Sequence, residues 1–130
     1  MIRRAAFADI PALLDLLARA HARSIYADTT RLDVDHARAV LLQAIQADGA
    51  PGLGGTLVRV AERGDAVTGL IAGVRDRVYD LSSPETLRAR DLFYVNEDDP
   101  RDGVRLLSAF LAWAHADPAV IEVQASVTDA

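Results

Sequence analysis

The segment Leu87–Val127, LRARDLFYVNEDDPRDGVRLLSAFLAWAHADPAVIEVQASV, decides the fold. Its opening residues are typical of a strand, and the acidic loop Asn96–Asp102 follows. The apolar spacing then predicts a helix over Gly103–His115, and after Pro118 a last strand over Ala119–Val127. Because a helix connects the two strands, we expect them to lie parallel, with a ligand at the loop where the first strand ends and the helix begins.

Two helices and a hairpin precede this segment. Ile2–Ala6 is predicted to form an edge strand, and a first helix is predicted from the cap Asp9 to about Arg23. Asp33 caps a second helix that ends at Gly49. We expect this second helix to bury a stripe of apolar residues at helical spacing: Val34, Ala37, Leu41, Leu42 and Ile45.

The hairpin consists of two β-rich runs, TLVRVAE and AVTGLIAGV, joined by a turn at Arg63–Asp65. Gly69 and Gly73 lie inside its second strand, where glycine usually indicates a bulge or a close backbone approach. The element order is therefore β-α-α-β-β-β-α-β.

Composition sets the broad class of the protein. The 130 residues, 51 % hydrophobic and 25 % charged, predict a single globular domain over residues 1–130. The absence of cysteine excludes disulfides and thiolate metal sites. No signal peptide or membrane span is visible, so we predict a cytoplasmic protein that does not bind membranes.

The charge is concentrated near the carboxyl end. Residues 91–130 carry two arginines and eight acidic residues, a net −6, although the whole chain is only −5. This distribution argues against a nucleic-acid partner, which requires clustered positive charge. His21 and His36 stand far apart on either side of a loop, so no metal site is predicted from them.

Five stretches together resemble the GNAT superfamily of acetyl-CoA-dependent N-acyltransferases. They are IRRAAFADIPALLDLLARAH, VRVAERGDAVTGLIAG, DLFYV, LLSAFLAWA and VIEVQASVTD, which cover nearly the whole chain in the family's order. The sequence most resembles small members of the family from phages and prophages. The resemblance implies an α/β (α+β) fold with a mixed, mostly antiparallel sheet, a βαβ unit and helices on both faces.

The resemblance implies acetyl-CoA as co-substrate, held at the fourth strand and at the loop before the third helix. The family loop has the form Arg/Gln-x-x-Gly-x-Gly/Ala, whereas the loop here is shorter, acidic and interrupted by Pro100, and only Gly103 matches it. The alternative for this loop is a well-capped helix start with weak or no CoA binding. The candidate cofactor-binding residues are Phe93, Tyr94, Val95, Arg101, Gly103, Val104 and Arg105.

For catalysis, acyl transfer to an amine requires a base and a polarised thioester carbonyl. Asp91 and Glu97 flank the fourth strand, and either is a candidate base, directly or through water. Backbone N–H groups around Phe93–Val95 are the candidate oxyanion donors. By resemblance, Tyr26 walls the pocket of the acceptor, a small amine or a protein amino terminus.

The resemblance also implies that the chain stops before the fourth helix and the two further strands with which the family continues. The proton donor for the departing thiolate therefore has no counterpart here. Three explanations stay open at this point: a natural minimal enzyme, a fragment, or a non-catalytic GNAT-like module. The last of these would associate with a partner or form a homodimer through the exposed edge of its final strand.

Overall fold

The computed structural model describes residues 1–126 and confirms the predicted element order. A short 3-10 turn, Phe7–Asp9, precedes the first helix. The helices and strands are β1 (Ile2–Arg4), α1 (Ile10–Ala22), α2 (Val34–Gln46), β2 (Thr56–Arg63), β3 (Ala66–Arg77), β4 (Leu87–Asn96), α3 (Pro100–Ala116) and β5 (Val120–Gln124).

The five strands form one sheet in the order β1-β2-β3-β4-β5. Neighbouring strands pair antiparallel except β4 and β5, which are parallel because α3 carries the chain from one to the other. The mixed, mostly antiparallel sheet that the sequence predicted is therefore confirmed.

Helices cover both faces of the sheet, so each face has its own apolar core. Leu70 and Ala72 of β3 point toward α1 and α2, where they meet fully buried leucines such as Leu16. The alternate residue Ile71 points toward α3 and packs near Phe110. The period-two alternation of β3 thus supplies both cores from one strand.

The third helix begins earlier than the sequence predicted. Its first residue is Pro100 rather than Gly103, and Asp99 is its N-cap, with a side-chain oxygen that accepts the Arg101 backbone N–H. Proline suits this first helical position because its missing N–H would have no intrahelical partner there. The last three residues of the predicted loop, Pro100–Asp102, are therefore the start of the helix, and only Glu97–Asp99 connect it to β4.

Two smaller expectations also change. In α2, Leu42 and Val34 are exposed, so the buried stripe is narrower than predicted and consists mainly of Ala37, Leu41 and Ala44. The last strand is shorter than expected, and its predicted end at Val127 lies outside the described residues. Within residues 1–126, no helix has the length and apolar character needed to cross a membrane.

Candidate functional site

The pairing between β4 and β5 ends part-way along β4, and within residues 1–126 a gap lies beside the rest of β4. The two strands pair from Leu87 with Val120 to Arg90 with Gln124, and the described part of β5 pairs with no later residue of β4. β4 nevertheless continues to Asn96, still paired with β3 on its other side. One edge of β4 beyond Arg90 is therefore left without a strand partner among the described residues.

A bulge in β4 lies at the start of this gap. Ala72 of β3 pairs with Phe93 and Gly73 pairs with Asp91, so Leu92 is the additional residue. A bulge bends a strand and redirects its side chains, and bulges are over-represented next to functional sites.

Asp91 lies at the fork between the two strands. Its Oδ1 accepts the backbone N–H of Ser126 at 2.7 Å, so this side chain bridges the strands where their backbone pairing ends. Its other carboxylate oxygen makes no hydrogen bond with the described residues.

The three predicted thioester-contacting residues of β4 face different ways. Phe93 and Val95 pack partly buried against the core beneath α1 and α2, and Tyr94 packs against the core beneath α3. The Tyr94 hydroxyl donates to the Gly103 carbonyl at 2.7 Å, and burial raises the pKa of this phenol. All three side chains thus pack against the protein core. A ligand would therefore contact the backbone of Phe93–Val95 rather than its side chains.

Glu97, just past β4, is held by α1. Its carboxylate accepts from Arg19 Nε at 2.9 Å and from Arg23 at 3.2 Å. The hydrogen bond from Arg19 is the main reason why the pKa of Glu97 is lowered. A carboxylate paired in this way is a poorer proton acceptor than one with an ordinary pKa. Tyr26 lies in the connection between α1 and α2, with a largely exposed ring.

At the amino terminus of α3, the backbone donors are already used. Position one is Pro100, which has no N–H. The Arg101 N–H is bound by Asp99 Oδ1 at 2.8 Å, and the Asp102 N–H is bound by the Asp99 carbonyl at 2.9 Å. An anion arriving at this helix end would meet none of the first three N–H groups free.

The carboxylates of this turn are paired with arginines. Arg63, from the β2–β3 hairpin, donates one hydrogen bond from Nε to Asp102 and one from Nη2 to Asp99, each at 2.8 Å. The Arg101 side chain contacts Asp99, with Nη2 2.7 Å from Oδ2. Arg105 Nη1 lies 3.3 Å from Oδ1 of Asp102. The hydrogen bond from Arg101 lowers the pKa of Asp99 strongly, and that from Arg63 lowers the pKa of Asp102, whose side chain is fully buried.

The remaining two predicted cofactor residues differ in exposure. Gly103 is buried beneath Tyr94 and Asn96, so that an added Cβ would lie 3.1 Å from the Tyr94 hydroxyl. Val104 is 65 % exposed on the outer side of the helix. No group of three His, Asp or Glu side chains that could hold a metal ion occurs among residues 1–126.

Sequence reasoning did not find Arg63, Arg19 or Arg23 as parts of this region. Each pairs with a carboxylate far along the chain, and an isolated arginine on a hairpin or a helix face carries no local signal of such a partner. Only the acidic partners are apparent in the sequence, because Glu97, Asp99 and Asp102 lie within six residues of one another.

Comparison with solved structures identifies the fold. Similar structures include a ribosomal-protein-alanine N-acetyltransferase from Brucella melitensis (23 % identity, 94 % of this chain and 72 % of that chain, TM-score 0.66). Another is an aminoglycoside 6'-N-acetyltransferase from Acinetobacter haemolyticus (12 % identity, 98 % of this chain and 79 % of that chain, TM-score 0.67). The chain has the GNAT fold. A transcriptional regulator from Bacillus halodurans C-125 is similar to the same degree (18 % identity, 99 % of this chain and 82 % of that chain, TM-score 0.64). At these identities the likeness shows the fold alone.

The sequence comparisons add nothing to this assignment. No family model matches the chain, and no curated protein matches it. The similarity to phage and prophage members therefore stays a prediction.

The GNAT-like resemblance implied a CoA diphosphate at the start of α3, and the residues there do not fit that group. A diphosphate needs free backbone N–H groups and unpaired cations. Instead, Asp99 and Pro100 leave no free donor in the first three positions, and Arg63 and Arg101 are paired with carboxylates. The β4 edge does fit an extended amide-bearing chain, because beyond Arg90 it has no strand partner on this side within residues 1–126.

Proposed function

We propose that this chain transfers an acyl group from a pantetheine thioester, such as that of acetyl-CoA, to an amine. The observation that carries the proposal is that, among the described residues, the pairing of β4 with β5 ends at Arg90, next to the bulge at Leu92. An extended thioester arm bound in this gap can hydrogen-bond to β4 as an added strand does. The GNAT fold supports the reaction class. The similar structures include an aminoglycoside and a ribosomal-protein-alanine N-acetyltransferase, which supports both small-molecule and protein amines as acceptors.

The reaction requires the amine nitrogen to attack the thioester carbonyl carbon. A C–N bond forms, the C–S bond breaks, the amine loses a proton and the departing thiolate gains one. Backbone N–H groups of β4 in the stretch Leu92–Val95 would stabilise the oxyanion of the tetrahedral intermediate. Of the two candidate bases we favour Asp91, because it lies where the β4–β5 pairing ends and one of its carboxylate oxygens has no hydrogen bond with residues 1–126, whereas Glu97 is held by two arginines.

The test is an amine-dependent release of free thiol from acetyl-CoA. The acceptors offered are an aminoglycoside and a peptide that begins with alanine. Asp91→Asn is expected to lower the rate by a factor of about 10²–10⁴, the usual contribution of a general base, without changing thioester binding. Asp15→Asn, at an exposed position of α1, serves as the matched control and is expected to leave the rate unchanged.

Binding is measured separately by two-dimensional NMR of the ¹⁵N-labelled chain. Acetyl-CoA is expected to shift the backbone amide signals of Leu92–Asn96. No shift at millimolar acetyl-CoA would overturn the proposed function, whichever acceptor is the natural one.

A second candidate function is a non-catalytic module that works by association, and one observation favours it. β5 is an edge strand of the sheet, and its Ile121 is 65 % exposed. An edge strand presents unpaired backbone groups to another chain, so a homodimer through β5 is the expected form of this module. Light scattering distinguishes the two: a dimer that Ile121→Lys dissociates, with no response to acetyl-CoA, supports association over catalysis.

A further inference from the structure

The anion position at the start of α3 is occupied by the chain itself. The Asp99 carboxylate accepts the Arg101 backbone N–H through Oδ1, and its Oδ2 receives the Arg63 guanidinium at 2.8 Å. The Arg101 guanidinium contacts both of its oxygens, at 3.1 Å and 3.0 Å from Nε. One carboxylate thus takes the backbone donor and the two arginines that a phosphate would need here.

We propose that the chain recognises its donor substrate by the pantetheine thioester arm alone, and that Asp99 takes the place of the nucleotide diphosphate at α3. This inference rests on the proposed function and names the substrate class of that site. It covers acyl thioesters of pantetheine whether or not a nucleotide is attached.

The neighbouring charges support the same conclusion. Arg63 is bound through Nε to Asp102, a fully buried carboxylate, so it cannot turn toward a ligand without leaving that charge unpaired. Arg105 also lies against Asp102, at 3.3 Å. Asp98 adds a further exposed negative charge beside Asp99. A diphosphate would therefore approach a helix end whose arginines are already neutralised by acidic groups.

The inference separates two parts of the donor that are usually bound together. The arm can lie along β4 between Leu92 and Asn96, where the strand edge has no partner among the described residues. The diphosphate would have to remain in solvent, where it adds little to affinity. Removing the nucleotide should therefore leave binding nearly unchanged.

The experiment compares acetyl-CoA with S-acetylpantetheine by NMR titration of the ¹⁵N-labelled full chain. In the wild type, we expect dissociation constants that agree within about threefold, which is a small difference on the affinity scale. Both donors should shift the amide signals of Leu92–Asn96. ADP alone, as a probe of the diphosphate, should leave the signals of Arg101–Gly103 in place.

The decisive variant is Asp99→Asn. Asparagine is as good an N-cap as aspartate, so the helix start is retained while the negative charge is lost. Arg101 then becomes available to a phosphate, whereas Arg63 stays bound to Asp102. Acetyl-CoA is then expected to bind about tenfold more tightly, the effect of one charge-assisted hydrogen bond, with S-acetylpantetheine unchanged. The matched control is Asp33→Asn at the N-cap of α2, where the aspartate accepts the His36 N–H, and neither donor should respond to it.

The possible failures are distinguishable. If wild-type protein binds acetyl-CoA more than about 30-fold more tightly than S-acetylpantetheine, the diphosphate is recognised and this inference is overturned, while the proposed function stands. No gain for acetyl-CoA in Asp99→Asn would also overturn it. If neither donor shifts the β4 signals, the proposed function falls and this inference falls with it.

Discussion

Gly73 of β3 allows α3 to approach the sheet closely. A Cβ added at this residue would lie 2.6 Å from Cε2 of Phe110 and 3.2 Å from the Trp113 ring. The sequence indicated a close approach or a bulge at this glycine. The structure shows the close approach, whereas the bulge lies on the facing strand, at Leu92 of β4. The sequence could not indicate the partner, because the ring that fills the space comes from a helix far along the chain.

Gly73→Ala is therefore expected to destabilise the protein. The added methyl group must displace an aromatic ring in a packed core, and overpacking of this kind typically costs about 1–3 kcal/mol. The free energy of unfolding, measured by urea denaturation, checks this. An unchanged value would mean that α3 can move away from the sheet at no cost.

At the scale of elements, the sequence predicted most of the buried face of α3 but not the residue at which this helix begins. Helical spacing predicts a buried face of Leu106, Leu107, Phe110 and Ala114. Three of these residues are fully buried, and Leu107 is partly buried. The start of α3 was placed too late because the acidic run was interpreted as a loop that holds a ligand. The cap residue Asp99 followed by Pro100 is a local signal that indicates the observed helix start.

Phe110→Ala tests how strongly α3 depends on this packing. Removal of a fully buried phenylalanine is expected to cost about 3–5 kcal/mol, because the transfer free energy of the ring is lost and a cavity remains. Val104→Ala, at an exposed position on the same helix, should change the unfolding free energy by less than about 0.5 kcal/mol. Both are measured by urea denaturation.

The double variant Gly73→Ala/Phe110→Ala gives a sharper result. The new methyl group would point into the space that the ring has vacated, so the two costs should not add. We expect the double variant to be more stable than the sum of the single effects predicts, by about 0.5 kcal/mol or more. Strict additivity would contradict the direct contact between these two residues.

Across the whole molecule, the element order was predictable and the long-range ion pairs were not. Periodicity and caps are local, so they placed eight elements in the right order and at nearly the right bounds. The pairing of Glu97 with Arg19 and Arg23, or of Asp102 with Arg63, depends on how distant elements meet. The sequence therefore predicted the element order but not these ion pairs.

These ion pairs make the stability of the whole fold depend on pH in a defined direction. Hydrogen bonds and ion pairs with arginine lower the pKa of several carboxyl groups below their ordinary values: Asp9, Asp76, Glu97, Asp99 and Asp102. A carboxyl group with a lowered pKa in the folded state contributes stability above its unfolded pKa, and that contribution is lost as the pH falls through the folded pKa. The unfolding free energy should thus be nearly level from pH 7 to about pH 5 and fall steadily below about pH 4.5.

Glu97→Gln isolates one of these contributions. At pH 7 the variant should be less stable than the wild type by up to about 1 kcal/mol, the upper range for a partly exposed ion pair. The difference should shrink as the pH is lowered toward 3, because the wild-type carboxylate then becomes protonated and loses its attraction to Arg19 and Arg23. Glu85→Gln, in a loop and without an ion pair among the described residues, is the control and should match the wild type at each pH. Urea denaturation at several pH values decides the matter: a difference that stays constant with pH would mean that Glu97 joins α1 to β4 by packing rather than by charge.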